Sequence, residues 1–174
     1  MRIVGSSLVY EATVPDGWNK LEAEDVRSLD DGRWHSAAVT VSPAGTRLYL
    51  DGYQVFCGTT TAFLKDLPGL TEVVLGQGDS PEVASFTVHP EVLTSRQVMA
   101  LSRRAEPLVE FAANRLSPYD VASFADARHG SLWLRFRVRG RMQQGALLAA
   151  GGLGREQLVV TVGPEGITYA GVSR

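Results

Sequence analysis

Residues 36–56 read SAAVTVSPAGTRLYLDGYQVF, which is three short runs separated by turn-forming residues. Apolar side chains alternate with other residues along these runs, and a period of two is typical of a half-buried β-strand. The pair Asp51-Gly52 between the second and third runs favours a type I′ hairpin turn, which needs positive φ at both positions. The stretch therefore predicts a β-hairpin preceded by a further strand.

The predicted turn also fixes the pairing within this hairpin. It places Leu50 opposite Tyr53 and Leu48 opposite Val55, with all four side chains on the core face of the sheet. The opposite face then carries Arg47, Tyr49, Gln54 and Phe56.

Similar short runs recur along the rest of the chain. They predict strands at 8–13, 72–76, 84–88, 131–138, 145–150, 157–162 and 167–170. In the run from Ser131, the apolar residues Leu132, Leu134 and Phe136 alternate with Trp133, Arg135 and Arg137. A strand with one apolar and one solvated face favours antiparallel pairing. We therefore expect an all-β fold, a two-sheet antiparallel jelly-roll sandwich, in which Leu132, Leu134, Phe136 and also Trp34 are buried.

One short helix is predicted from Ser95 to about Ser102. Thr94 and Gln97 have the spacing of a capping box, in which each residue bonds the backbone amide of the other. Residues 103–119 are predicted to form an irregular connection that ends in the turn-prone pair Ser117-Pro118.

Composition limits the partners of the chain. The net charge of −2 provides no global attraction to nucleic acid or to an anionic membrane, and neither is expected as a partner. No apolar run has the length of a membrane span, and the first residues do not resemble a signal peptide. Cys57 is the only cysteine, so an intrachain disulfide is impossible. We expect a cytoplasmic protein, or a fragment of a secreted one, and leave homodimerisation open.

The acidic residues and histidines do not form a recognisable catalytic or metal-binding pattern. Glycosidases use paired carboxylates, but the densest acidic cluster predicts a solvated edge; it consists of Glu22, Glu24 and Asp25. The histidines are far apart and predict structural or surface roles; they are His35, His89 and His129. Carboxylates of the type that bind calcium occur on predicted loops at Asp16, Asp79, Asp120 and Asp126, but their spacing does not match a calcium site. We therefore expect no metal and no cofactor, and assign no catalytic residue.

Aromatic and arginine side chains on the non-core face of the strands predict a ligand-binding surface. Its six residues are Trp133, Arg135, Arg137, Arg47, Tyr49 and Gln54. Aromatic rings stack on the apolar face of a sugar, and guanidinium groups pair bidentately with carboxylates. If both strands lie in one sheet, the surface favours an acidic or planar ligand.

The motifs of the central stretch resemble those of laminin-G-like domains, which are related to the concanavalin A-like lectins. Residues 31–41, DGRWHSAAVTV, resemble the "DGxWHxVxV" strand of that family, and residues 48–52, LYLDG, resemble its "LYVDG" hairpin. The lectin module of bacterial sialidases is the version most similar to this chain. The resemblance covers about residues 8–102 and implies a noncatalytic carbohydrate-binding sandwich.

The order of the motifs differs from that family. The helix at 95–102 resembles the family's closing element, yet residues 130–137, GSLWLRFR, resemble its opening strand. The resemblance thus implies one permuted domain over 1–174, with its closing part at 8–102 and its opening part at 120–174. Two partial copies from a tandem array are the alternative, which we favour less because the two parts sum to one complete domain. Permutation predicts termini within roughly 5–10 Å of each other.

The expected function is a carbohydrate-binding or interaction module of the lectin type, suited to acidic glycans and without its own catalysis. One alternative is a small-molecule enzyme, a cyclase or isomerase of a biosynthetic pathway, that uses the groove of the sandwich. Another is a structural domain that dimerises. A fold of this kind does not decide among them, because one fold hosts many functions.

Overall fold

The computed structural model describes residues 2–4, 7–14, 17–23, 29, 31–67, 69–77, 81–103, 118–138, 145–152 and 155–163. Within these ranges most residues are in β-strands. The strands are β1 (Arg2–Val4), β2 (Ser7–Val14), β3 (Gly17–Ala23), β4 (Trp34–Ser42), β5 (Gly45–Leu50), β6 (Tyr53–Gly58), β7 (Glu72–Gln77), β8 (Pro81–His89), β9 (Gly130–Val138), β10 (Gly145–Gly152) and β11 (Arg155–Gly163). The helices are α1 (Ser95–Ser102) and α2 (Pro118–Phe124), with a short 3₁₀ turn at Leu64–Asp66.

The strands form two sheets. A six-stranded sheet has the order β3-β2-β1-β11-β10-β7, and a five-stranded sheet has the order β6-β5-β4-β9-β8. Every described pairing is antiparallel except that of β1 with β11, which is parallel. The expectation of a mostly antiparallel all-β fold with two sheets is confirmed.

Strands from the end of the chain pair with strands from its beginning in both sheets. In the five-stranded sheet β9 lies between β4 and β8, and in the other sheet β10 pairs with β7 and β11 pairs with β2. The first and last described strands are neighbours, with Ile3 opposite Val162. Residues 1 and 164–174, on which the predicted distance between the termini depends, lie outside the described residues.

The main core contains side chains from both sheets. Leu132, Leu134 and Phe136 of β9 are buried in it, as predicted, together with apolar residues of β4, β5, β7 and β10. We expected Trp34 to be buried. This prediction is wrong, because its side chain is only half-buried. Trp34 lies opposite Arg137, and its position in β4 has the opposite parity from the core residues Ala37 and Val39. It therefore lies on the face that points away from this core.

The central hairpin has the predicted turn and a different register beyond it. Asp51 and Gly52 have φ values of 50° and 84°, as a type I′ turn requires. Leu50 pairs with Tyr53 as expected, but Leu48 pairs with Phe56 instead of Val55. The cause is a β-bulge, which adds one unpaired residue to β6 and reverses the alternation of the residues that follow. Tyr53 was expected in the core and is 64% exposed.

The helices show one confirmed prediction and one omission. α1 has the predicted bounds and capping box: the Thr94 amide donates to Gln97 Oε1 at 2.8 Å, and the Gln97 amide donates to Thr94 Oγ1 at 3.3 Å. α2 was not predicted, because the pair Ser117-Pro118 indicated a turn. Proline is also favoured in the first turn of a helix, and α2 begins at Pro118 and buries Val121 in the core.

Strands β1 and β3 were not predicted either. β1 has only three residues, which is too short for a periodic pattern. Most of the predicted irregular connection, residues 104–117, and the strand predicted at 167–170 lie outside the described residues.

Candidate functional site

The six residues of the predicted binding surface lie on one face of the five-stranded sheet. We call this face, which points away from the main core, the outer face. Trp133 lies opposite Ala38, Ala38 opposite Tyr49, and Tyr49 opposite Gln54, so these residues form one row across β9, β4, β5 and β6. Sequence alternation alone did not show that these strands share a sheet; the pairing register does.

The three arginines occupy three different rows of the same outer face. Arg47 lies opposite Thr40, Arg135 opposite Ser36, and Arg137 opposite Trp34. Arg47 is exposed, whereas Arg135 and Arg137 are half-buried. Since each opposing residue belongs to β4, one strand connects all three arginine positions.

Helix α1 covers the middle of the outer face. Trp133 is 8% exposed and Tyr49 is 1% exposed, and both pack in a second apolar cluster with Leu93 and Val98. The Tyr49 hydroxyl is also 3.1 Å from Ser95 Oγ at the start of α1. The outer face is therefore open at Arg47 and Gln54 and covered at its two aromatic positions. The role of all six residues in ligand binding stays a prediction.

Arg137 already has a partner for its charge. Its Nη2 and Nε donate to Glu82 Oε2 at 2.6 and 3.2 Å. Its Cζ lies 4.5 Å from the centre of the Trp34 ring, a distance at which cation and aromatic face attract each other. Glu82 compensates the positive charge, so Arg137 is a weaker candidate for an incoming carboxylate than the exposed Arg47.

A histidine between two carboxylates lies at the end of the five-stranded sheet where Trp34 and Arg137 are paired. His35 Nδ1 is 2.9 Å from Asp51 Oδ2, and His35 Nε2 is 3.1 Å from Asp31 Oδ1. A neutral imidazole has only one N–H and cannot donate to both carboxylates, whereas an imidazolium can. We call these three residues the His35 cluster, and its geometry favours a positively charged ring.

The pKa shifts of His35 and Asp31 agree with a positively charged His35 ring. Burial lowers the pKa of His35, but the hydrogen bonds and negative charges of Asp51 and Asp31 outweigh it, so that the pKa lies above its usual value. The pKa of Asp31 lies below its usual value, chiefly because the Arg33 amide donates to Oδ1 at 2.8 Å. Burial opposes that effect, and His35 adds to it.

The His35 cluster connects the hairpin turn to α1. Asp51 Oδ1 accepts a hydrogen bond from the Ser36 amide, and the Asp51 amide donates to the Ser36 carbonyl, both at 2.8 Å. Ser36 Oγ in turn donates to Ser102 Oγ in the last turn of α1 at 2.7 Å. Gly52 lies so close to α1 that a Cβ there would be 2.9 Å from Met99 Cα. The His35 cluster, together with Ser36, therefore holds the hairpin turn and the last turn of α1 against β4.

Sequence reasoning assigned His35 a structural or surface role but missed both of its partners. The signal was present, since Asp31 and His35 belong to the DGRWH motif and Asp51 to the LYLDG motif. The contact of His35 with Asp51 depends on the pairing of β4 with β5, which places Ala37 opposite Leu50. Spacing along the chain does not contain this information.

The other candidate acids and histidines remain separate where the structure describes them. His129 and Asp126 are exposed, and His89 is half-buried in β8. Among the described residues, no group of three or more His, Cys, Asp or Glu side chains could hold a metal ion. Glu24, Asp25, Asp16 and Asp79 lie outside the described residues, as do the side chains of Glu22 and Asp120.

Two further observations concern partners. In the described part of the chain, no helix is long and apolar enough to cross a membrane. Comparison with known proteins found no matching family model, no matching curated protein and no matching solved structure. The function is therefore inferred from the geometry of the chain itself.

Proposed function

We propose that this protein is a noncatalytic glycan-binding module of the lectin type, and that its ligand binds on the outer face of the five-stranded sheet. The observation that carries the proposal is the placement of six candidate residues on one face of one sheet. The exposed Arg47 and Gln54 provide the ionic and hydrogen-bonding contacts that sugars with acidic groups use, whereas Trp133 and Tyr49 are covered by α1 and add no stacking contact in this conformation.

An acidic glycan is the favoured ligand class because of the arginines. The exposed Arg47 offers a guanidinium fork that can pair bidentately with a carboxylate. Arg135 lies on β9, two strands from Arg47 and two rows farther along the sheet, opposite Ser36 of β4. Arg137 contributes less because it is paired with Glu82 at 2.6 Å.

We also propose that the two sheets form a permuted jelly-roll sandwich of the laminin-G type. Two observations support it: β9, β10 and β11 pair with strands from the first half of the chain in both sheets, and β1 lies beside β11. The motifs at 31–41 and 48–52 belong to β4, β5 and the turn after β5, which form consecutive parts of one sheet.

A binding titration tests the proposed function. Sialic acid and glucuronic acid are the acidic probes, and galactose is the neutral one. We expect the parent protein to bind an acidic probe more tightly than galactose. Arg47→Ala should weaken acidic binding about tenfold, which is the effect of losing about 1.4 kcal/mol of charge-assisted hydrogen bonding.

The matched control is Arg128→Ala, since Arg128 is an exposed arginine outside the five-stranded sheet. Its affinity should equal that of the parent. No binding of any probe by the parent, or an equal loss in both variants, would overturn the proposal and favour the small-molecule enzyme instead.

A further inference from the structure

Three buried polar atoms on the outer face have no hydrogen-bond partner in the part of the chain that the structure describes. They are Thr40 Oγ1, Trp133 Nε1 and His89 Nε2. Thr40 is 1% exposed and Trp133 is 8% exposed. Buried hydroxyl and indole N–H groups normally have a partner, because an unsatisfied polar group is costly. The missing hydrogen-bond partners of these three atoms therefore need an explanation.

The pairing register places the three side chains at adjacent positions. Thr40 lies opposite Ser131, and Ser131 lies opposite His89, so these residues form one row across β4, β9 and β8. Trp133 follows Ser131 by two residues and therefore lies in the next row of the same face. Directly opposed residues have Cβ atoms about 5 Å apart and diagonal ones about 7–8 Å apart. Thr40 and His89 are two strand spacings, about 10 Å, apart, with Ser131 between them, so a ligand must be about 10 Å long to reach all three.

Arg47 extends this row to solvent. It lies opposite Thr40 on the neighbouring strand β5 and is exposed. The row therefore begins with an exposed guanidinium and continues to the buried hydroxyl of Thr40 and the buried Nε2 of His89.

The segment that covers this face satisfies other polar groups but not these three. Ser131 Oγ accepts from the Leu93 amide at 2.9 Å and donates to the Glu91 carbonyl at 3.1 Å. Tyr49 contacts Ser95 at 3.1 Å. Residues 91–95 thus attach to the sheet through Ser131 and Tyr49. The outer face has more hydrogen-bonding capacity than the described cover uses.

We infer that Thr40, Trp133 and His89 form a subsite for the hydroxyl groups of an acidic sugar whose carboxylate pairs with Arg47. The indole N–H can only donate, the threonine hydroxyl donates and accepts, and the imidazole does either, depending on its tautomer. Sugar hydroxyls both donate and accept, so they match all three groups. The inference rests on the proposed function, because it specifies the ligand of that same face.

Entry to the subsite requires a movement of its cover. Trp133 packs against Leu93, and the Leu93 amide and the Glu91 carbonyl are bonded to Ser131, so the sugar must displace residues 91–93 and break these two hydrogen bonds. Binding should therefore change the fluorescence of Trp133, and Trp133→Phe should remove that change.

A pair of buried threonines on neighbouring strands provides the test. Thr46 is 1% exposed like Thr40, but its Oγ1 donates to the Thr60 carbonyl at 2.7 Å. In the ligand-free protein, Thr46→Val should lower the Tm by about 2–4 °C, because it deprives a carbonyl of its partner. Thr40→Val should leave the Tm unchanged or raise it, because its hydroxyl has no partner to lose.

The same variants are then titrated with sialic acid and glucuronic acid. Thr40→Val should weaken binding about tenfold, a typical loss for a buried hydrogen bond to a ligand, whereas Thr46→Val should bind like the parent. Parent-like affinity of Thr40→Val, or a fall in its ligand-free Tm equal to that of Thr46→Val, would overturn the subsite. If the parent binds neither sugar, the proposed function fails and the subsite fails with it; if the parent binds and Thr40→Val binds equally, only the subsite fails.

Discussion

Replacing Phe136 with alanine is expected to lower the free energy of unfolding by about 3–5 kcal/mol. Phe136 is 0% exposed and belongs to the main core, and its strand β9 has a hydrogen-bonded partner on each side. The variant loses the buried ring and leaves a cavity that flanking strands cannot close without distorting both pairings. Urea unfolding followed by far-UV circular dichroism measures the loss.

Phe56→Ala is the matched control for this prediction. Phe56 packs only partly buried against the same core and lies on β6, at the edge of the sheet. Its truncation removes the same atoms but less buried area, and an edge strand can relax, so its loss should be clearly smaller. Equal losses in the two variants would contradict the assigned core face of β9.

Replacing His35 with glutamine should destabilise the protein by about 1–2 kcal/mol near pH 6. The imidazolium donates to Asp51 and Asp31 at 2.9 and 3.1 Å, and glutamine cannot restore both bonds or the charge. The loss stays modest because the side chains of Asp31 and Asp51 are 36% and 45% exposed, so water solvates the carboxylates that His35 leaves behind.

The pH dependence of stability gives a sharper test of the His35 cluster. The pKa of His35 is raised in the folded protein, so its contribution is complete below the unfolded value of about 6.5 and is lost as the pH rises through the folded pKa. The pKa of Asp31 is lowered, so its contribution is present above the unfolded value of about 3.9 and is lost at lower pH. The cluster should therefore stabilise most between about pH 4 and 6.5.

The measurement is the free energy of unfolding at a series of pH values from 5 to 9. We expect it to fall in the parent as the pH rises above neutrality, and His35→Gln should abolish that part of the dependence. His129→Gln, which changes an exposed histidine, should keep it. A His35→Gln profile parallel to that of the parent would contradict the raised pKa of His35.

The local structure followed directly from the sequence. The Asp51-Gly52 turn, the Thr94–Gln97 capping box and the apolar face of β9 each depend on residues within a few positions of one another. Turn chemistry, helix capping and alternation act over that distance. The mostly antiparallel two-sheet architecture follows from the same patterns, since strands with one apolar face must pair that face with another sheet.

The β-bulge in β6 shows where prediction from the alternation of apolar residues fails. An extra residue between paired positions changes which side chains face the core, and nothing in the alternating run of Tyr53 to Phe56 announces it. The hairpin turn could therefore be predicted, but not the pairing of Leu48 with Phe56.

The sequence by itself determined the turn, the helix, the core face of β9 and the set of residues that alternate away from that core. Only the tertiary structure decided that these residues share one sheet, that α1 covers Trp133 and Tyr49, and that His35 lies between Asp31 and Asp51. Alternation specifies to which side of a strand a residue points, because the β-strand repeats every two residues. It does not specify which segment packs on that side, because such packing joins residues far apart in the chain, as Ser36 and Ser102 are.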